Sequence, residues 1–238
     1  MFSKTSGTIT QQKQSLILVP LISALLMGCN DDNKQQFESA KIAALEADDP
    51  FLELDAFRQH AGNYGAKCRS RFNTIYNEKP DPCNTRVNVE KQIVMASIDK
   101  GSIPAIIFLF KPYSKSPPLY PFEIDKTKAN KLASQLVKRA ESAPVGKESQ
   151  ALLMIAGHLL QSGKYVSQDS QKAAEMYIKA WQSGNDQAAM ELINIYYYLK
   201  KYRQAYFWQV RVGSNAPPPS QLSEAEILDI QRKAAEIR

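Results

Sequence analysis

The stretch DSQKAAEMYIKAWQSGNDQAAMEL, residues 169–192, decides the fold class of this 238-residue chain. Small and apolar residues recur in it at i, i+3, i+4 and i+7, the spacing of one helix face: Ala173, Met176, Tyr177 and Ala180. Asp169 is placed to cap the amino end of this helix. Gly184 is placed to end it, because glycine enters the left-handed conformation at little cost. The pattern predicts a helix over 171–182.

Two further helices are predicted after Gly184. Asn185 or Asp186 caps the first, whose inner face would comprise Ala188, Ala189, Leu192, Ile195 and Tyr196. The second begins near Arg203 and carries Ala205, Trp208 and Val212. The apolar run 103–110 fits a strand or a helix, since its proline suits a first helical turn equally well.

Two short motifs recur along the chain. Asp-x-x-Lys-Ala at 125–129 returns at 169–173, 44 positions later, and Gly-x-x-x-Ala at 101–105 returns at 184–188. Each is expected to open one helix of a pair. Helix-turn-helix units are therefore predicted at 103–141, 148–183 and 186–213, with a helix of an earlier unit at 88–100.

Such units bury their apolar faces by stacking on one another, and alanine lets their helices approach closely. We expect an all-α fold: an α-solenoid over 101–213, closed by a linker and capping helix at 214–238. Ser223 and Glu226 offer a capping box for that last helix. A non-repetitive helical bundle is the alternative.

The amino terminus has the features of an export signal. An apolar run, 16–26, follows two lysines and ends in Leu26-Met27-Gly28-Cys29, which resembles the bacterial lipobox. We expect 1–28 to be a lipoprotein signal peptide, Cys29 to be lipidated (palmitate among its acyl chains) and 29–36 to be a solvated tether. A plain signal peptide or a short anchor is the alternative.

Cysteine usage agrees with export. Apart from Cys29, the chain has Cys68 and Cys83, separated by a turn-rich segment inside a helical region predicted at 37–100. In an oxidising compartment a lone pair is expected to form a disulfide, which would stabilise by roughly 3 kcal/mol. A redox or metal pair is the alternative, although CxxC spacing is absent.

The repeats resemble the Sel1-like family, a relative of the tetratricopeptide repeats. Residues in register with the family pattern, or expected to pack between repeats, are Ala151, Gly157, Gly163, Asp169, Ala173, Tyr177, Ala180, Gly184, Ala188 and Ala205. The chain departs from the pattern at Leu160, Tyr165 and Trp181. The resemblance covers 151–184 best, extends through 185–213, is weak over 101–141 and leaves out 30–100. It implies a superhelical stack of antiparallel helix pairs that serves as a protein-interaction scaffold. Some exported bacterial members of the family are lipoproteins, and some are immunity proteins against secreted effectors.

The sequence contains no motif that indicates catalysis or metal binding. The two histidines, His60 and His158, have no partner at catalytic or metal-ligand spacing, and no cofactor or metal is expected. Removing two lysines with the signal lowers the formal charge from +6 to +4. The basic residues are scattered, so nucleic-acid binding is not expected.

Aromatic residues are the candidates for partner binding. A helix cannot bury Tyr196, Tyr197 and Tyr198 on one face, so Tyr197 or Tyr198 should point elsewhere, near Tyr202. A second candidate is the Pro-rich insertion 111–122, with Tyr113 and Tyr120. Core packing and a plain solvent loop are the alternatives.

The sequence thus predicts a periplasm-facing, lipid-anchored interaction scaffold, on the outer rather than the inner membrane. Its partner would be a secreted effector, which would make the chain an immunity protein, or an envelope component. The alternative is an enzyme, or an accessory subunit, acting on peptidoglycan or lipid.

Overall fold

The structure is a computed structural model that describes residues 29–65, 82–111 and 124–236. These ranges form ten α-helices, as the all-α prediction requires. The helices are α1 Cys29–Glu46, α2 Leu54–His60, α3 Pro82–Asp99, α4 Ile103–Phe110, α5 Lys126–Glu141, α6 Gln150–Ser162, α7 Ser170–Gln182, α8 Gln187–Tyr198, α9 Tyr202–Arg211 and α10 Glu224–Glu236.

The first three helices pack on one another around two phenylalanines. Phe37 of α1 and Phe57 of α2 are fully buried, with ring centroids 5.6 Å apart in an edge-on arrangement. Arg86 of α3 donates to the backbone carbonyls of Arg58, Gly62 and Tyr64, which closes the end of α2.

Residues 29–36, for which the sequence suggested a solvated tether, are helical. They are the first turns of α1. The side chain of Gln36 lies so close to Gly62 that a Cβ there would be 2.7 Å from Gln36 Oε1. The polar run is helical because it continues a helix whose following turns are anchored by Phe37 and Ala44.

The ambiguous apolar run 103–110 is a helix, α4. Ser102 caps it by accepting a hydrogen bond from the N–H of Ala105 at 3.3 Å, and Pro104 lies in its first turn. The strand alternative is therefore wrong for this segment.

From α4 onward, each helix packs against the next one along the chain, and α6 with α7 forms the most extensive contact. Alanines are prominent among the buried residues of these helices: the side chains of Ala133, Ala156, Ala173, Ala180, Ala188 and Ala205 are fully buried. Sequential packing through alanine is the arrangement that helix-turn-helix repeats require.

Both copies of Asp-x-x-Lys-Ala cap a helix through the same hydrogen bond. Asp125 caps α5 by accepting from the N–H of Lys128 at 2.8 Å, and Asp169 caps α7 by accepting from the N–H of Lys172 at 2.9 Å. The glycine at the start of each Gly-x-x-x-Ala motif likewise ends a helix with a positive φ, +82° at Gly101 and +90° at Gly184.

The last helix begins with the predicted capping box. Ser223 N–H donates to Glu226 Oε2 at 3.0 Å, and the N–H of Glu226 returns a bond to Ser223 Oγ at 3.4 Å. Arg203 of α9 pairs with Glu226 and with Asp229, which holds α10 against α9. Val212 differs from expectation: α9 ends at Arg211, and Val212 is 41% exposed.

Candidate functional site

The helices α6 and α7 are in direct contact at Gly157 and Tyr177. Tyr177 is fully buried, and its ring lies against the backbone of Gly157. A Cβ at position 157 would be 2.4 Å from Cε1 of Tyr177, a distance that no side chain accommodates. Glycine is thus required for the ring to reach this depth.

The hydroxyl of Tyr177 emerges beside two polar side chains of α6. It donates to Oε1 of Gln161 at 2.6 Å and lies 3.0 Å from Nδ1 of His158. Because the hydroxyl proton is given to Gln161, Nδ1 of His158 acts as the donor, and its Nε2 remains an acceptor.

Burial governs the protonation of both rings. It lowers the pKa of His158 below its ordinary value, with the Glu191 carboxylate of α8 opposing the shift. Burial also raises the pKa of Tyr177 strongly, and Glu191 adds to that shift. At neutral pH the network therefore consists of a neutral imidazole, a neutral phenol and an amide.

The network lies beside a groove of about 560 Å³ between α4 and α6. We call it the α4–α6 groove; it is lined by Leu109, Phe110, Lys111, His158, Leu159, Gln161, Ser162, Lys164 and Tyr165. Its apolar wall includes Phe110 and Tyr165, whose ring centroids are 5.2 Å apart in an edge-on arrangement.

The charge of this groove is positive. Lys111 is exposed, and Lys164 Nζ lies 4.9 Å from the centroid of the Tyr165 ring. Within the described ranges, neither lysine has a carboxylate within ion-pair distance, and the groove lining includes no Asp or Glu. Sequence reasoning missed this site, although Tyr165 was one of the departures from the repeat pattern.

The predicted tyrosine cluster lies at the α8–α9 hairpin, and the structure divides it. Tyr196 is buried, whereas Tyr197 is half-buried and donates to Oε1 of the buried Gln209 at 3.1 Å. Tyr202 stacks edge-on against Tyr197 with centroids 6.3 Å apart. Tyr198 is 67% exposed, so it is the member of the cluster most available to a partner.

The repeat-packing residues occupy three kinds of position. Ala173, Tyr177, Ala180, Ala188 and Ala205 are fully buried, and Gly157 lies beneath Tyr177. Gly163 and Gly184 have positive φ at helix ends, and Asp169 is an exposed cap. Ala151 is exposed in the first turn of α6 and does not pack between helices as expected.

Several predicted residues fall outside what the structure describes. Cys68, Tyr113 and Tyr120 lie outside the described residues, as do the side chains of Cys29 and Cys83. The expected lipidation, the disulfide and the contribution of the Pro-rich insertion therefore stay predictions.

The shifted carboxylates belong to surface ion pairs. Hydrogen bonds from Ser223 and Arg203 lower the pKa of Glu226, and hydrogen bonds from Lys233 and Arg232 lower the pKa of Asp229. Within residues 29–65, 82–111 and 124–236, no group of three or more His, Cys, Asp or Glu could hold a metal ion. In the same ranges, no helix is both long and apolar enough to cross a bilayer.

No family model, curated protein or solved structure matches the chain. The comparison with the Sel1-like repeats therefore rests on the residues of this sequence and on the sequential helix packing.

Proposed function

We propose that the chain is a protein-interaction scaffold, an α-solenoid of Sel1-like helix pairs, held by a lipid on Cys29 and facing the periplasm. The observation that carries this proposal is one contact that occurs twice. Lys128 reaches back from α5 to Asp99, the last residue of α3, at 2.6 Å. Lys172 reaches back from α7 to Glu141, the last residue of α5, at 2.5 Å. The same motif lysine thus joins two successive units to the helix pair before each of them, as expected when equivalent units stack by one repeated step.

An interaction role is supported by the surface that the helix pairs leave accessible. Tyr198 lies exposed on α8, and the α4–α6 groove combines aromatic residues with two lysines that form no ion pair among the described residues. Tyrosine and other aromatic residues anchor protein interfaces because they bury a large area at a small cost in conformational entropy. The partner proposed is a secreted effector, which would make the chain an immunity protein, or an envelope component.

The proposed lipid anchor at Cys29 lies close to the folded part of the chain. Phe37 enters the core eight residues after Cys29, and a helix rises about 1.5 Å per residue. The folded part would therefore begin about 12 Å from the lipidated residue. A scaffold held this close would meet its partner at the membrane surface.

The test is co-purification of the full chain from membranes of the cells that make it, compared with the Tyr198→Glu variant. We expect one protein to accompany the wild type in stoichiometric amount, and to be reduced several-fold with the variant. The matched control is Leu228→Glu, which replaces a similarly exposed side chain on α10. If the chain retained no protein but turned over a peptidoglycan or lipid substrate, the alternative envelope enzyme would replace this proposal.

A further inference from the structure

We propose that the α4–α6 groove binds an extended, acidic segment of the protein partner, with an aromatic side chain of that segment seated between Phe110 and Tyr165. This inference rests on the proposed function, because it assigns a site and a chemistry to the partner of the scaffold. It is carried by charge complementarity, by the aromatic wall and by a set of unused hydrogen-bonding groups.

Charge complementarity comes from Lys111 and Lys164. Lys128 and Lys172, by contrast, contact carboxylates. Lys111 and Lys164 flank a groove that includes no carboxylate among its described lining residues. Two cations that meet no carboxylate within the described part of the chain, beside an apolar wall, favour a ligand that carries carboxylates next to an apolar group.

The aromatic wall provides the seat for that apolar group. Phe110, at the end of α4, and Tyr165, after α6, are both only partly buried. Both rings line the groove and both are partly exposed, so a third ring could contact them there. A ring inserted beside this pair would extend an edge-on cluster that is already formed.

The polar end of the groove suits a peptide backbone. Gln161 uses its Oε1 to accept from Tyr177, and within the described residues its Nε2 makes no hydrogen bond. Nε2 of His158 is an acceptor because the proton of the neutral ring is on Nδ1, which donates to the Tyr177 hydroxyl. A donor and an acceptor less than one helical turn apart on α6 can pair with the C=O and N–H groups of an extended segment.

The experiment measures binding of a fluorescein-labelled peptide, DEWDEFDE, to the full chain in detergent by fluorescence anisotropy. The test variant is Lys111→Glu with Lys164→Glu. The control is Lys138→Glu with Lys147→Glu, which makes the same change of net charge at exposed lysines near the opposite end of α6. A second peptide, KKWKKFKK, keeps the aromatic residues and reverses the charge.

We expect the dissociation constants of the acidic peptide for the wild type and for the control to agree within about twofold. The test variant should bind this peptide on the order of tenfold more weakly. Added salt should weaken the binding, and the basic peptide should not bind. Equal binding by both variants, or no binding to the wild type, would overturn the proposal. If the co-purified partner stays bound to the Lys111→Glu, Lys164→Glu variant, the groove assignment fails while the interaction function stands.

Discussion

The backbone of Gly157 and the ring of Tyr177 are in direct contact, so that a methyl group on Gly157 would lie 2.4 Å from Cε1 of the ring. This contact sets the approach of α6 to α7 at the most extensive helix pair of the chain. It also carries the Tyr177 hydroxyl to His158 and Gln161, and so links helix packing to the polar end of the α4–α6 groove.

Gly157→Ala should destabilise the protein. Overpacking a buried site costs about 1–3 kcal/mol, and the higher helix propensity of alanine offsets about 1 kcal/mol of that cost, so urea unfolding should show a net loss of up to about 2 kcal/mol. Gly146→Ala is the control, because its Cβ would meet only the exposed, mobile end of Glu148. A Gly157→Ala protein as stable as the wild type would show that the Tyr177 ring can move away from position 157 without loss of stability.

Tyr177→Phe should cost about 1–3 kcal/mol, since it removes the hydroxyl that lies between Gln161 and His158. Tyr196→Phe provides the comparison. Tyr196 is also buried, but within the described residues its hydroxyl makes no hydrogen bond, so its loss should change stability much less. Equal unfolding midpoints for the two variants would mean that the polar network does not contribute to stability.

Asp169→Ala should lower the free energy of unfolding by about 0.5–2 kcal/mol, because the first turn of α7 loses its cap. Asp125→Ala should have a similar effect at α5. The two losses should add in the double variant, because the caps belong to different helices and share no partner. Asp169→Ser keeps an acceptor at the cap and should retain most of the stability. A loss as large in the serine variant as in Asp169→Ala would contradict the capping role.

Stability should fall as the pH falls from about 7.5 to about 5, in part because of His158. Burial lowers the pKa of His158 in the folded chain, with Glu191 opposing, so the unfolded chain takes up this proton first, near pH 6.5. The contribution of His158 to the free energy of unfolding is therefore fully present above that pH, and it is lost as the pH falls below it. The His158→Gln variant should show a shallower dependence of unfolding free energy on pH. If the unfolding free energies of the two proteins changed in parallel with pH, the lowered pKa of His158 would be contradicted.

Local features of the fold were predictable because they depend on residues close in sequence. The caps at Asp125, Asp169 and Ser223 and the glycine end of α7 each follow from short patterns. The α4–α6 groove was not predictable, since Phe110 and Tyr165 meet only after α4 and α6 have packed. The pairing of Lys128 with Asp99 could not be predicted for the same reason, because the two residues are 29 positions apart in the sequence.

Two differences from the sequence-based expectations have similar causes. The run 29–36 is polar enough to suggest a tether, yet it is helical because α1 continues through Phe37 into the core. Ala151 fits the repeat pattern, but it lies in the first turn of α6, where its side chain faces solvent. A periodic pattern identifies a helix face more reliably than it identifies which end of that face is covered.

The most direct test of the interaction role is photo-crosslinking of the full chain in the cells that make it, with benzoylphenylalanine in place of Tyr198. The matched control places the same group at Leu52, which is 66% exposed in the turn before α2. We predict a covalent adduct with one other protein from position 198 and none from position 52. The absence of any protein adduct at position 198, and at every other exposed position of α6 to α10, would contradict the proposal that this chain is an interaction scaffold.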